Sequence, residues 1–246
     1  MKWFKFIVFP IIFYAYTSLV FADVIKVGTM IFYPPFVMSV NQGFDVDLIQ
    51  SLCRRTNLQC QMVPMDFNKI FGALDSGAID VAIGGIVITP ERLNRYIFTT
   101  PYLLSKGEFL TLQDNNLQSI TGLKGKSVGV IRGEQDEGVF YNYLNTNYAD
   151  EFQIKAFDDI ADVLTALSNK EIAAAFVHES TAIYWQQNGG GQFQLLGPPT
   201  IIGEGMGIMA LPKNINLIQQ FNQQLQIMEN DGTYINLYST YLGNVL

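Results

Sequence analysis

The chain has 246 residues, with 15 Lys and Arg against 22 Asp and Glu, one histidine and two cysteines, and a net charge of −7. A chain this acidic repels nucleic acid and anionic membrane surfaces, and one histidine with two cysteines supplies too few ligands for a zinc site. The length suits one large domain or two lobes of about 100 residues each.

Residues 1–22 read as a cleaved secretory signal. Lys2 and Lys5 give a positive start. Phe6 to Leu19 is an apolar run too short for a comfortable membrane span, and Val20-Phe21-Ala22 ends in the small residue a signal peptidase needs. The expected mature chain, 23–246, keeps 13 basic and 22 acidic residues, net −9. Cys53 and Cys60 lie seven positions apart. In an exported chain they are most simply a disulfide, contributing roughly 2.5 kcal/mol on the chain-entropy model; free thiols or a metal pair are the alternatives.

Val24 to Thr29 predicts a first strand, followed by a stiff aromatic loop, Tyr33-Pro34-Pro35-Phe36. Asp45 is expected to cap a helix with Val46, Ile49, Leu52 and Cys53 on one face. Phe67 to Leu74 predicts a second amphipathic helix, ended by Gly77. Ala78 to Ile83 reads as an apolar strand.

The stretch Gly84 to Arg92 then carries the most pointed chemistry. Gly84 and Gly85 let backbone amides approach a ligand with no Cβ in the way. Thr89-Pro90-Glu91-Arg92 fits a helix start, with Thr89 as cap and Pro90 in the first helical position. Arg92 places a planar fork of donors beside those amides, a combination suited to a small carboxylate. An ordinary surface arginine on a strand-to-helix turn is the plain alternative.

The strand-and-helix order then restarts. Ser127 to Ile131 predicts a strand ending at Gly133, and a helix begins near Asp136. Asp159 caps a helix carrying Val163, Leu164 and Leu167, Ala173 to Val177 is an apolar strand, and a helix follows from about Ser180. Gly203 to Leu211 is glycine-rich and apolar. Ile215, Ile218, Phe221, Leu225 and Met228 mark one face of a long helix, and Gly232-Thr233-Tyr234 opens a short last one. The expected architecture is α/β in two lobes, each a mostly parallel sheet flanked by helices. The terminal helices pack back on the first lobe, so the chain crosses twice and leaves a hinge and a cleft. The lobe divisions are 23–107 plus 208–246, and 108–207.

Five motifs in order resemble the polar amino-acid-binding proteins of bacterial ABC importers. They are Gly43-Phe44-Asp45-Val46-Asp47-Leu48, the Thr89-to-Arg92 turn, Phe98-Thr99-Thr100-Pro101-Tyr102, Leu123-Lys124-Gly125-Lys126 and Asp231-Gly232-Thr233-Tyr234. The cysteine spacing and the Phe98-to-Tyr102 run lean toward the arginine and lysine/arginine/ornithine binders, in which this spacing is a disulfide. The resemblance implies the type II periplasmic-binding fold and a periplasmic monomer without cofactor, which closes on one amino acid, arginine or a similar cation, and docks on a membrane permease. By position it implies that Arg92 grips the α-carboxylate, helped by amides near Gly84, Gly85 and Val87 and by Gln135. Tyr33 and Phe67 sandwich the side chain.

Three positions depart from the pattern. Val87 replaces a hydroxyl or acid, no acid stands near Met30, and His178 falls where the family holds the ligand ammonium with an aspartate. Glu179 and Glu134 are the candidate replacements. Two other functions remain on this scaffold: an exported dehydratase using Glu179 beside His178, for which no nucleophile–base pair or cofactor fingerprint is present, and a soluble amino-acid sensor.

Overall fold

The computed structural model describes residues 24–133 and 138–243. The expected leader, Glu134, Gln135 and the helix start at Asp136 lie outside the described residues. The first sheet begins with β1 (Val24–Met30), which is followed by α1 (Phe44–Arg55), β2 (Gln59–Met65), α2 (Phe67–Asp75), β3 (Val81–Ala82), α3 (Pro90–Leu93) and β4 (Ile97–Phe98). The second sheet is built from β5 (Lys106–Leu112), β6 (Ser127–Ile131), α4 (Val139–Asn147), β7 (Gln153–Phe157), α5 (Ile160–Ser168), β8 (Ala174–His178), α6 (Glu179–Asn188), β9 (Phe193–Leu195) and β10 (Thr200–Ile201). The chain then returns to the first sheet through β11 (Met209–Ala210) and ends with α7 (Ile215–Asn230) and α8 (Thr233–Leu242).

Each sheet has a parallel core with antiparallel additions. The first runs β2-β1-β3-β11-β4, with β1 parallel to both β2 and β3, and β11 antiparallel to β3 and β4. The second runs β10-β5-β8-β6-β7, with β6 parallel to β7 and β8, and β5 antiparallel to β8, β9 and β10. The antiparallel strands are the ones that begin or end the passages between sheets. Periodicity signals the buried parallel strands. It misses β2, an edge strand with Pro64 in its ladder and a half-exposed face, and it misses β5 and β7.

Two segments join the sheets, and they hydrogen-bond to each other. Tyr102 N–H donates to the Met206 carbonyl at 2.9 Å, Met206 N–H to Leu103 at 2.8 Å, and Thr99 N–H to Ile208 at 3.0 Å. A paired two-strand connection bends more easily than it shears, which makes it a hinge.

The terminal helices pack on the first sheet's side. Ile218, Phe221, Leu225 and Met228 are buried as the helical spacing predicts, whereas Ile215, at the first position of the helix, is exposed. Arg55 of α1 pairs with Asp231 at 2.8 Å, and the Tyr241 hydroxyl donates to Asp47 at 2.6 Å. Cys53 of α1 and Cys60 of β2 form a disulfide, with Cα atoms 6.1 Å apart. Among the described residues no helix is long and apolar enough to cross a membrane.

One expectation is corrected. Asp45 does not cap α1: Gly43 is the residue before the helix, and no side chain caps it. Gly43 sits at φ +139°, where a Cβ would collide with the Phe36 carbonyl, so the chain enters the helix pressed against the aromatic loop. Asp45 is instead wholly buried and reaches across to the site.

The Cys53→Ser, Cys60→Ser double variant is expected to lose about 2–3 kcal/mol of stability, since the closed loop is short. A urea titration checks this: the midpoint falls at constant slope, and an unchanged midpoint contradicts a stabilising bridge.

Candidate functional site

The site lies between the two sheets, and it starts from the turn after β3. The Thr89 hydroxyl accepts a hydrogen bond from Arg92 N–H at 3.3 Å, with Pro90 in the first helical turn. This local cap turns the chain so that the Arg92 side chain folds back under the preceding loop. Its Nη1 donates to the Val87 carbonyl at 2.7 Å, and its Cζ lies 5.0 Å from the Phe71 ring centroid and 5.9 Å from that of Phe67. Arg92 is 4% exposed. The guanidinium is therefore held in one orientation by a carbonyl and two aromatic faces, which suits planar, two-point recognition of a carboxylate.

A cavity adjoins this cation. Tyr33, Phe67, Gly84, Gly85, Val87 and Arg92 from the first sheet's side line it, and so does His178 from the second. Its volume is about 30 Å³. The structure thus brings together every described ligand-contact candidate except Glu179. Glu179 pairs with Lys106 at 3.1 Å and lines a separate cavity beside Tyr102, Tyr234 and Tyr238. Glu134 and Gln135 are outside the described residues.

Two details differ from the sequence reading. The Gly85 N–H does not open toward the cavity, because it donates to Asp45 Oδ2 at 2.7 Å. Gly85 is still required as glycine: its φ is +69°, and a Cβ there would stand 3.2 Å from the His178 ring. The second detail is His178 itself. Its Nε2–H donates to the Gly85 carbonyl at 2.9 Å, a bond from one lobe to the other, and that acceptor fixes the tautomer. Its ring lies edge-on among Phe36, Phe140 and Tyr33, with centroids at 5.4, 4.7 and 5.9 Å. Burial lowers its pKa to about 4, against the Gly85 bond and helped by the Arg92 charge. His178 is therefore a neutral donor that clasps the two lobes, and no single-sequence signal marks a contact across 93 positions.

Asp45 faces the site and not the helix N-terminus. It also accepts from the Tyr102 hydroxyl at 2.9 Å, and burial raises its pKa to about 7 against those bonds. The loop it holds is stitched to the second crossover as well: Ile88 N–H donates to Gly205 at 2.8 Å, and Gly207 N–H to Ile86 at 3.1 Å. Among the described residues, no three His, Cys, Asp or Glu side chains are grouped so as to hold a metal ion.

With this geometry in place, comparison with known proteins decides the family. Residues 25–244 match the bacterial extracellular solute-binding proteins, family 3. The chain belongs to that family. A relative from Mannheimia haemolytica, an arginine-binding periplasmic protein, is 27% identical over 218 residues, covering 86% of this chain and 88% of its own. A solved structure of an arginine third transport system periplasmic binding protein from Legionella pneumophila has a TM-score of 0.83 and 34% identity, covering 90% of this chain and all of its own. An ancestral arginine-binding protein bound to arginine matches at a TM-score of 0.80 and 30% identity, covering 89% and 98%. The two-lobed type II fold of these solute-binding proteins is the fold of this chain.

The depressed pKa of His178 carries a sign. Its neutral form contributes stability in full above the unfolded pKa of 6.5, and that contribution is lost as pH falls toward about 4. The stability difference between wild type and His178→Asn is expected to shrink across that window, by on the order of 3 kcal/mol. Denaturant unfolding at half-unit pH steps reads it; a difference independent of pH contradicts the neutral buried state.

Proposed function

We propose that this solute-binding protein is the periplasmic binding component of an ABC importer, that arginine is its ligand, and that it is not an enzyme. The observation that carries this reading is the oriented Arg92 guanidinium beside a cavity lined from both lobes. In this reading Arg92 takes the α-carboxylate, with the Gly84–Val87 loop shaping the approach. Tyr33 and Phe67 flank the side chain, where a guanidinium gains cation–π energy of about 1–2 kcal/mol when desolvated. His178 packs over the backbone end as a neutral lid, and Glu134 and Gln135 complete the second lobe's share. The arginine-binding relatives support the ligand class.

Lobe motion follows from the chain path. The cavity is lined from both lobes and the crossovers are paired by backbone bonds, so the lobes part about that connection and close on the ligand. We assign residues 23–107 and 208–246 to one lobe and 108–207 to the other. The closed form then docks on a membrane permease. Export to the periplasm through a leader cleaved after Ala22 and a monomeric state complete the proposal.

Titration calorimetry of ligand-stripped protein against the common amino acids tests it. One-to-one binding of arginine without turnover is the expected outcome, and Arg92→Ala weakens it by about a hundredfold or more, since a buried charged pair is lost. No binding of any amino acid contradicts the reading, and retained affinity in Arg92→Ala removes the carboxylate role.

A further inference from the structure

We propose that Asp45 is the positioning residue of the cleft, joining the Gly85 loop to the hinge through one buried carboxylate oxygen. The inference rests on the binding reading above. Asp45 Oδ2 accepts from Gly85 N–H at 2.7 Å and from the Tyr102 hydroxyl at 2.9 Å. Gly85 is in the loop that lines the cavity, and its carbonyl receives His178 from the other lobe. Tyr102 is in the first crossover, where its N–H bonds to Met206 and its carbonyl accepts from the Tyr234 hydroxyl of α8. One carboxylate thus touches the ligand loop and the hinge, and through Gly85 it reaches the second lobe.

The surroundings show that this acid is not ordinary core filling. Asp45 is wholly buried, the groups that favour its carboxylate (Gly85 N–H, the Tyr102 hydroxyl and, more weakly, Gly84 N–H) are all neutral, and Oδ1 makes no close hydrogen bond. A buried carboxylate held in this way is unfavourable for folding alone. An asparagine of the same shape removes the charge, whereas the charge-assisted bond to Gly85 N–H is about twice as strong as a neutral one. The aromatic loop is anchored to the same helix start, because Asp45 N–H donates to the Phe36 carbonyl at 3.0 Å and Phe44 N–H to Pro35 at 2.9 Å. The first turn of α1 therefore sets the spacing between the Tyr33 loop and the Gly85 loop, which are two walls of the cavity.

The sign of the proton effect follows. With its pKa raised to about 7 by burial, Asp45 opposes folding once ionised, and stability from this group falls as pH rises from about 4 through 7. Tyr102 from the crossover and Tyr234 from α8 face it and stay protonated, since burial raises both. Stability and function are set against each other at this position.

The test uses the mature protein and the variants Asp45→Asn, Tyr102→Phe and Glu108→Gln. Amide hydrogen exchange in the ligand-free protein at pH 8 reads the loop directly. Asp45→Asn is expected to speed exchange at Gly85 by about tenfold and to leave β1 and β6 unchanged. It is expected to melt at or above the wild-type temperature at pH 8, and yet to bind arginine about tenfold more weakly. Wild-type affinity weakens between pH 8 and 5.5, and the variant's stays flat. Glu108, buried with its pKa also raised to about 7, titrates in the same window, so Glu108→Gln must keep the wild-type profile. Tyr102→Phe, which keeps the carboxylate, is expected to weaken arginine by about threefold and serves if Asp45→Asn does not fold. Unchanged exchange at Gly85 overturns the proposal, as does faster exchange with unchanged arginine affinity. If the Gly85 exchange changes as expected but the wild type binds no arginine, the ligand assignment fails and the loop-positioning role of Asp45 stands.

Discussion

The permanent charge of Arg92 is the constraint on which the rest of the structure depends. A guanidinium cannot shed its proton to escape burial, so placing it at 4% exposure costs several kcal/mol unless its surroundings answer the charge. The Val87 carbonyl and the Phe67 and Phe71 faces supply part of that answer and fix its plane. In the proposed binding mode a ligand carboxylate supplies more, which would link occupancy of the cleft to its electrostatics. The cap at Thr89 and the glycine turn before it are local devices that bring the cation to this place.

A buried cation next to a cleft needs a cleft that opens, and the chain path provides it. The two crossovers are paired by backbone hydrogen bonds between Thr99–Ser105 and Ile202–Ile208, and the second one also holds the Ile86–Ile88 segment of the binding loop. Motion of the second lobe therefore reaches the loop through backbone bonds. His178 adds a direct clasp from the second lobe to Gly85. A ligand that touches both lobes shifts the balance between open and closed forms by its difference in affinity for the two.

Much of this was legible in the sequence where the signal is local. The Thr89–Pro90 start, the Asp159 cap and the buried face of α7 follow from spacing within a turn or two, and the cysteine pair from spacing and export. The candidate residues around Arg92 were also legible, because five short motifs in order resemble one family. What was not legible is what depends on contacts far apart in the chain. Asp45 reads as a helix cap because acids favour that position. Its partners, Gly85 and Tyr102, lie 40 and 57 positions away and leave no periodic trace. The edge strand β2 and the crossover strands lack alternation for the same reason: their pairing is decided by the fold and not by their own pattern. Glu179 was a reasonable candidate by neighbourhood, but the first turn of α6 takes it to Lys106.

The central claim is that Arg92 recognises an α-carboxylate. It is tested most directly by comparing arginine with agmatine, its decarboxylated analogue, on wild type and on Arg92→Ala. The account predicts that wild type prefers arginine by about a hundredfold or more, because agmatine lacks the carboxylate that the proposal places at Arg92. It also predicts that Arg92→Ala binds the two about equally weakly. Comparable binding of agmatine and arginine by the wild type would contradict it.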